Sequence, residues 1–488
     1  MATLKEQKEA FVTGFEGTHP GEILLVCSSG IVGFWLFSVL PDGWAQQPRR
    51  PLSMEVYLFW LPMILVQSNF LYPWGILYLI LEVVLAIVLE LRLLGTSSKT
   101  SSSSTPTTKT TNPPSSNDSN DPPSKRNEEK GQQQQQRQYH GALTMHRVIV
   151  MYLTFVAILA VDFSLFPRRF VKTETSGYSL MDVGAASFAL MAGLASPRAR
   201  YGIRPNTNHA WMKKELRRVI PLLVMGSLRL VTHKELEYQE HVSEYGVHWN
   251  FFYTLAALGP LTAVVPGPSW MVPALLMMVY QYALSYGGLQ ALIEEAPRKC
   301  NDPSFFLCDL FMANREGILG CIGYVTIYLI GEWTGKTVLW NSTTTNTSNN
   351  SDTVMSSTRK LAVMSVAVIV LWRAFVATGI PISRRSTNLG FCLWTLVVNI
   401  PLLTLLMLIY HRHGPRVPYL AHLVNRHGLI CFIVANLLTG IVNLSINTLQ
   451  VGDGVAIGVL LAYMTAIGLF VIVLDTTWNH FFSKSKQA

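Results

Sequence analysis

Apolar runs close to membrane-spanning length recur from one end of the chain to the other, separated by short polar stretches. About 20 consecutive apolar residues are needed to cross a hydrocarbon core as a helix. The pattern predicts spans near 22–40, 54–71, 73–93, 146–162, 178–196, 216–232, 249–265, 269–288, 316–333, 360–380, 389–410, 428–448 and 453–475. Aromatic residues cluster at several of their ends, as in Tyr72-Pro-Trp74 and Gly331-Glu-Trp333, where interfacial rings are expected. Residues 96–139 break the pattern with a Ser/Thr run, paired prolines and Gln132 to Gln136. Such a composition buries too little apolar surface to fold and predicts disorder. The chain therefore divides into N-terminal spans within 1–95, a low-complexity cytosolic loop over 96–145, and the remaining spans within 146–488, forming one membrane domain. A second polar insert runs from Asn341 to Ser357. No internal repeat of the kind that marks inverted-repeat transporters is visible.

Composition agrees with this pattern. Half of the 488 residues are hydrophobic and 14% are charged. The expected fold class is an all-α polytopic membrane protein with about 13 transmembrane helices in one bundle. No cleavable signal peptide is visible, so the first span is expected to direct insertion. The net charge of +9 requires no nucleic-acid partner. Alternating the spans from a luminal N-terminus puts most Lys and Arg on the cytosolic side, led by the cluster from Arg198 to Arg218, as the positive-inside rule requires. The C-terminus then faces the cytosol. Lys484 and Lys486 resemble a dilysine retrieval signal of the endoplasmic reticulum membrane. The same alternation places the sequons at Asn117, Asn341, Asn346 and Asn349 on the cytosolic face, where glycosylation of the last three would require a different span count. The six cysteines lack metal-ligand spacing, and no metal is expected. Cys27, Cys321, Cys392 and Cys431 lie in apolar runs; Cys300 and Cys308 share a luminal loop in which a disulfide is possible.

Four polar islands stand at span ends, and alternation puts all four on the luminal side. The first, Asp162 to Glu174, carries Asp162, Arg168, Arg169 and Lys172. The second, Leu236 to Phe252, includes Glu244, His248, Trp249 and Asn250. Asn314, Arg315 and Glu316 make the third, and residues 381–388 the fourth. Asp182 lies inside a span. Charges near a membrane persist where they pair or line a wet cavity, so four islands on one face suggest a polar chamber. An acid and a base there suit proton transfer and stabilisation of developing negative charge. Arg168 and Arg169 suit either a lipid-headgroup anchor or phosphate recognition. Asn314, Arg315 and Glu316 suit a local cap and salt bridge equally well. Asn436, Asn443 and Asn447 share one helical face, where interhelical hydrogen bonding is the plain expectation. G-x-S-x-G, P-loop and dinucleotide motifs are absent, which favours direct transfer from an activated donor.

Several stretches resemble one family closely. They are Met1-Ala-Thr-Leu-Lys5 with Phe11-Val-Thr-Gly14, Ala160-Val-Asp-Phe163 with Phe166-Pro-Arg-Arg-Phe170, Ser179-Leu-Met-Asp182, the whole second island, Ala313-Asn-Arg-Glu-Gly-Ile318, and Ala435-Asn436 with Thr439-Gly440 and Asn443. Together they resemble the family of the fungal GPI-anchored wall transfer protein and its mammalian counterpart PIG-W, from the first residues to the last spans. The low-complexity loop and the 341–357 insert lie outside the resemblance. It implies a multi-span acyltransferase of glycosylphosphatidylinositol (GPI) anchor biosynthesis in the endoplasmic reticulum membrane. The implied reaction moves a fatty acyl chain, typically palmitoyl, from acyl-CoA to the inositol 2-hydroxyl of glucosaminyl-phosphatidylinositol. Acyl-CoA is then a co-substrate, and the partners are that glycolipid and membrane lipids, with no resident cofactor. An essential Asp–Lys pair of the family matches Asp162 and Lys172. Asp162 is expected as the base, with Lys172 stabilising the oxyanion or keeping Asp162 ionised. Substrate contacts are expected from Arg168, Arg169, Asp182, His248, Trp249, Asn250, Asn314, Arg315 and Glu316. Two alternatives remain: a membrane-bound O-acyltransferase type of enzyme centred on a histidine, with His248 nearest, and a lipid or acyl-CoA transporter.

Overall fold

A computed structural model describes residues 14–41, 51–100, 123–202, 209–235, 242–265, 267–300, 306–340 and 350–484. The regular secondary structure of the described residues is all helical, apart from one isolated extended bridge between Gly17 and Tyr178. The helices are α1 (Pro20–Val39), α2 (Leu52–Val66, with a π turn at Val56–Trp60), α3 (Tyr72–Thr100), α4 (Pro123–Ala160), α5 (Leu180–Leu194), α6 (Pro197–Tyr201), α7 (His209–Glu235), α8 (Val242–Tyr245) and α9 (Phe251–Ala263). They continue as α10 (Met271–Ser285), α11 (Leu289–Glu294), α12 (Phe306–Ala313), α13 (Arg315–Thr334), α14 (Asn350–Ala377), α15 (Leu389–His413), α16 (Tyr419–Arg426), α17 (Gly428–Ser445) and α18 (Asp453–Lys484).

Every predicted span falls on a helix, but the helices are not equivalent. Eight are long and apolar enough to cross a membrane: α1, the 141–160 part of α4, α5 with α6, α13, α14, α15, α17 and α18. Helices α2, α9 and α10 are apolar but shorter, and α7 is a long helix that carries more charge. The chain is thus an all-α polytopic membrane protein with eight helices of spanning length and composition among its described residues. Helix α3 runs on to Thr100 and α4 begins at Pro123, leaving 101–122 outside the described residues. Gln, Glu, Lys and Arg are good helix formers, so the Gln132–Gln136 run continues the α4 helix instead of ending it. Asn117 and the sequons Asn341, Asn346 and Asn349 also lie outside the described residues.

Helix α4 is the axis of the bundle: 78% of its spanning window is buried, against 22% for α17, 28% for α14 and 33% for α18. It packs on α1, α5, α15, α16, α17 and α18. The outer helices turn Val363, Val366, Leu437 and Leu444 outward, as lipid-facing helices do. Helices α5 and α13 lie against each other through glycines. A Cβ at Gly193 would stand 2.0 Å from the Tyr328 carbonyl oxygen, and one at Gly331 would stand 2.4 Å from that of Leu190. Small residues at these positions let the backbones touch. Caps fix where several helices begin: the Ser179 hydroxyl accepts from Met181 N, and the side chains of Asn250 and Asn388 accept from Phe252 N and Phe391 N. Cys300, ahead of α12, forms a disulfide with Cys308 in the first turn of α12, while Cys27, Cys321, Cys392 and Cys431 are buried thiols.

Candidate active site

The first island forms where α4 ends. The chain turns through Asp162 N to Leu159 O and Phe163 N to Ala160 O, leaving carbonyls that need donors. Arg168 folds back under the turn and supplies them. Its guanidinium donates to Val161 O at 3.0 Å, Phe163 O at 2.8 Å and Phe166 O at 2.9 Å. Burial pulls this guanidinium down to about 10, against the opposing charge of Asp162. Arg169 reaches the other way and grips Glu22 of α1, with Nη2 at 2.6 Å and Nε at 2.9 Å from Oε1. The two arginines thus hold the turn and tie it to α1; neither lines the cavity described next.

A cavity of about 1080 Å³ opens inside the turn, bounded chiefly by α4, α5, α7, α9 and α17. Asp162 and Lys172 both line it. Asp162 is 7% exposed, and Asn443 of α17 donates Nδ2 to its Oδ2 at 2.7 Å. Lys172 Nζ stands 2.6 Å from Glu244 Oε1. Glu244 also receives Arg384 Nη1 at 3.1 Å, and Arg384 Nε lies 2.7 Å from Asp182 Oδ1. The second oxygen of Asp182 accepts from the Thr173 hydroxyl at 2.7 Å and from Thr173 N at 3.2 Å. Thr173 follows Lys172, so the contacts close a ring through the first, second and fourth islands and the start of α5. Burial pushes the Glu244 carboxyl up, but Lys172, Arg384 and Arg229 outweigh it and hold it at about 2. Burial acts on Arg384 in the opposite sense to its two carboxylates, which win and raise it above its ordinary value.

The remaining predicted residues divide in two. Trp249 and Asn250 line the cavity. The Trp249 indole donates to the Thr254 hydroxyl at 3.0 Å, while Asn250 caps α9 and donates to Gly226 O at 2.9 Å, pinning α7. His248, Asn314, Arg315 and Glu316 do not line it. His248 is exposed, and its backbone N–H donates to Asn314 Oδ1 at 2.7 Å. Arg315 is 2% exposed and donates to Ile293 O at 3.1 Å and Pro297 O at 3.0 Å. Glu316, equally buried, meets Arg298 at 2.8 Å and Arg385 at 3.1 Å. The third island is therefore a brace under the loop that precedes α12. Sequence reasoning singled out neither Glu244 nor Arg384 as a site residue, and read Asn443 only as interhelical glue. The available signal was their membership of the islands and of the asparagine face of α17.

The opposite end of the cavity is lined by Arg147, Arg200 and Asn425, and its middle by apolar groups such as Val150, Ile158, Met191 and Phe432. His146 also lines it, buried with Nδ1 3.0 Å from the Met191 sulfur. It stands roughly 20 Å along α4 from Asp162, at 1.5 Å of rise per residue. A cavity charged at both ends and apolar between suits a long amphipathic molecule with anionic groups.

Fold and site together define a polytopic helical membrane protein that encloses an amphipathic chamber. A family model described as GWT1 matches residues 4–474, and the chain belongs to that family. It is 36% identical to the GPI-anchored wall transfer protein 1 of Yarrowia lipolytica over 356 residues, covering 68% of this chain and 72% of the relative. It is 32% identical to the protein of that name from Eremothecium gossypii over 513 residues, covering 97% and 98%. The Candida albicans protein of the same name is 33% identical over 370 residues, covering 68% and 74%.

Proposed function

We propose that the protein acts in GPI-anchor biosynthesis as an acyltransferase of the endoplasmic reticulum membrane, with its C-terminus in the cytosol. It moves a fatty acyl group, palmitoyl in the first instance, from acyl-CoA to the inositol 2-hydroxyl of glucosaminyl-phosphatidylinositol. The observation that carries this reading is one cavity with Asp162 and Lys172 at one end and an apolar middle suited to an acyl chain. The inositol oxygen attacks the thioester carbonyl while Asp162 takes its proton. The Lys172 ammonium, steadied by Glu244, donates to the carbonyl oxygen as negative charge builds there. The C–S bond breaks, the CoA thiolate leaves, and the proton on Asp162 passes to it. The ester stays on the inositol and Asp162 is restored.

Of the two roles open to Lys172, this reading takes oxyanion stabilisation, because its ion pair is with Glu244. The histidine-centred alternative is weaker: His248 is exposed outside the cavity, and His146 is far along α4 from the charged turn. The test is purified protein with palmitoyl-CoA and glucosaminyl-phosphatidylinositol, read by mass spectrometry for acylated inositol. Acylation that needs Asp162 and survives His248→Ala is expected. Product formation that persists in Asp162→Asn would overturn the mechanism, and transport without product would favour a carrier.

A further inference from the structure

The cavity has one wall unlike the others. Leu228 of α7 and Leu437, Ile441 and Leu444 of α17 line it, yet they are 52%, 62%, 58% and 77% exposed. Residues that face both a cavity and the outside mark an opening. The three on α17 lie within a helix of spanning length and composition, so in a bilayer the outside at that level is acyl chains. Helix α7 packs on α9, through Asn250 and Tyr253, whereas α17 packs on α4, α16 and α18. The two helices thus belong to different walls, with the opening between them. From Leu437 to Leu444, α17 rises roughly 10 Å, ample for the width of a lipid chain. The charged end of the opening is also defined. Arg229 follows Leu228 on the cavity face of α7, within the electrostatic reach of Glu244, which pairs with Lys172. On α17, Asn443 stands beside Leu444 and holds Asp162.

We infer that a lateral slot between α7 and α17 admits the acceptor lipid, and that Arg229 binds its phosphodiester at the slot's charged end. This rests on the acyl-transfer reading above. The lipid tails stay along Leu437 and Ile441, partly in the bilayer, and only the headgroup enters the chamber. A guanidinium fork matches two phosphodiester oxygens, and the inositol attached to that phosphate is carried toward Lys172 and Asp162. The slot selects an acceptor that is membrane-anchored and anionic, while the donor occupies the apolar middle of the cavity.

The test uses full-length protein in nanodiscs and has two arms. A benzophenone amino acid at Ile441 should cross-link phosphatidylinositol at least several-fold better than phosphatidylcholine, and Arg229→Gln should abolish that preference. The same probe at Val366, an outward position on α14 away from the cavity, should show no preference. In steady-state kinetics, Arg229→Gln should raise the KM for glucosaminyl-phosphatidylinositol about 10-fold or more, as loss of a charge-assisted hydrogen bond does, with the acyl-CoA KM nearly unchanged. Arg229→Lys should recover part of the loss. Equal cross-linking of both lipids at Ile441, or a rise in the donor KM in place of the acceptor KM, would overturn the inference. If the lipid preference holds while wild-type protein forms no acylated inositol, the slot stands and the reaction assigned above falls.

Discussion

Two charged clusters sit near each other in this protein and do different things. In the chamber, Lys172, Glu244, Arg384 and Asp182 form a ring whose members line a cavity. Nearby, Arg298, Glu316, Arg385 and Arg315 form a brace that does not line that cavity. The two share buried carboxylates, Asp182 at 3% and Glu316 at 2% exposure, so burial of charge does not distinguish them. The difference is in where the donors go. In the brace, Arg315 and Arg385 donate to the backbone carbonyl of Ile293, and the charges serve chain geometry. In the ring, the charged side chains hold one another, and Lys172 faces the cavity. Buried charge near a membrane marks function where some of it stays exposed to a cavity, and architecture where backbone consumes it.

That contrast can be broken most severely at Asp162. Asp162→Asn keeps the shape and removes proton acceptance, so turnover should fall about 10²–10⁴-fold. Thermal stability should stay close to wild type, measured by unfolding in detergent. Lys172→Ala should lower turnover at least about 10²-fold. A catalytic pair acting as a unit predicts a double variant hardly worse than the worse single one; fully multiplied losses would mean independent roles.

Glu316→Gln should have the opposite signature. It leaves Arg298 and Arg385 facing each other, a disruption of the class that costs about 3–5 kcal/mol in stability. Turnover per folded molecule should change little, and a large loss of turnover in a stable protein would erase the distinction between ring and brace. Glu244→Gln should fall between the extremes. Glu244 is held at about 2, below its ordinary 4.5, so its contribution is present above pH 4.5 and is lost as pH falls toward 2. That shift corresponds to about 3 kcal/mol at neutral pH. Acid titrations of stability should be steeper between pH 4.5 and 2 for wild type than for Glu244→Gln. Parallel curves would remove the carboxylate from the ring's energetics. The smallest effect is expected from replacing residues 101–122 with a Gly/Ser linker of equal length, which should preserve acyl transfer within a few-fold.

Much of this architecture was legible in the sequence because apolar runs and their spacing are local. Each predicted span lies on a helix, and the clustering of polar islands at one end followed from alternating the spans. The partners were not legible. Arg384 meets Glu244 across 140 residues and Arg169 meets Glu22 across 147, distances that no local pattern encodes. Arg168 and Arg169 suited a lipid-headgroup anchor or phosphate recognition, because an Arg-Arg pair beside a membrane has that chemistry. Its nearest acceptors are the carbonyls of its own turn and a carboxylate from α1. Residues 123–140 join α4 because many of them are good helix formers and a neighbouring span gives them a helix to extend.

The glycine contact between α5 and α13 has a mechanical consequence. Helices whose backbones touch at Gly193 and Gly331 have no compressible side-chain layer between them and move as one plate. Asp182 rides at one end of that plate, so the floor under the ring behaves as an anvil. Compliance is left to the wall across the cavity, where α17 has the least burial of any spanning helix. Thermal motion in this molecule is therefore lopsided. Amide exchange should be slowest along α5 and α13 and fastest along α17, so that the chamber flexes like a jaw hinged on one side and not like a breathing barrel.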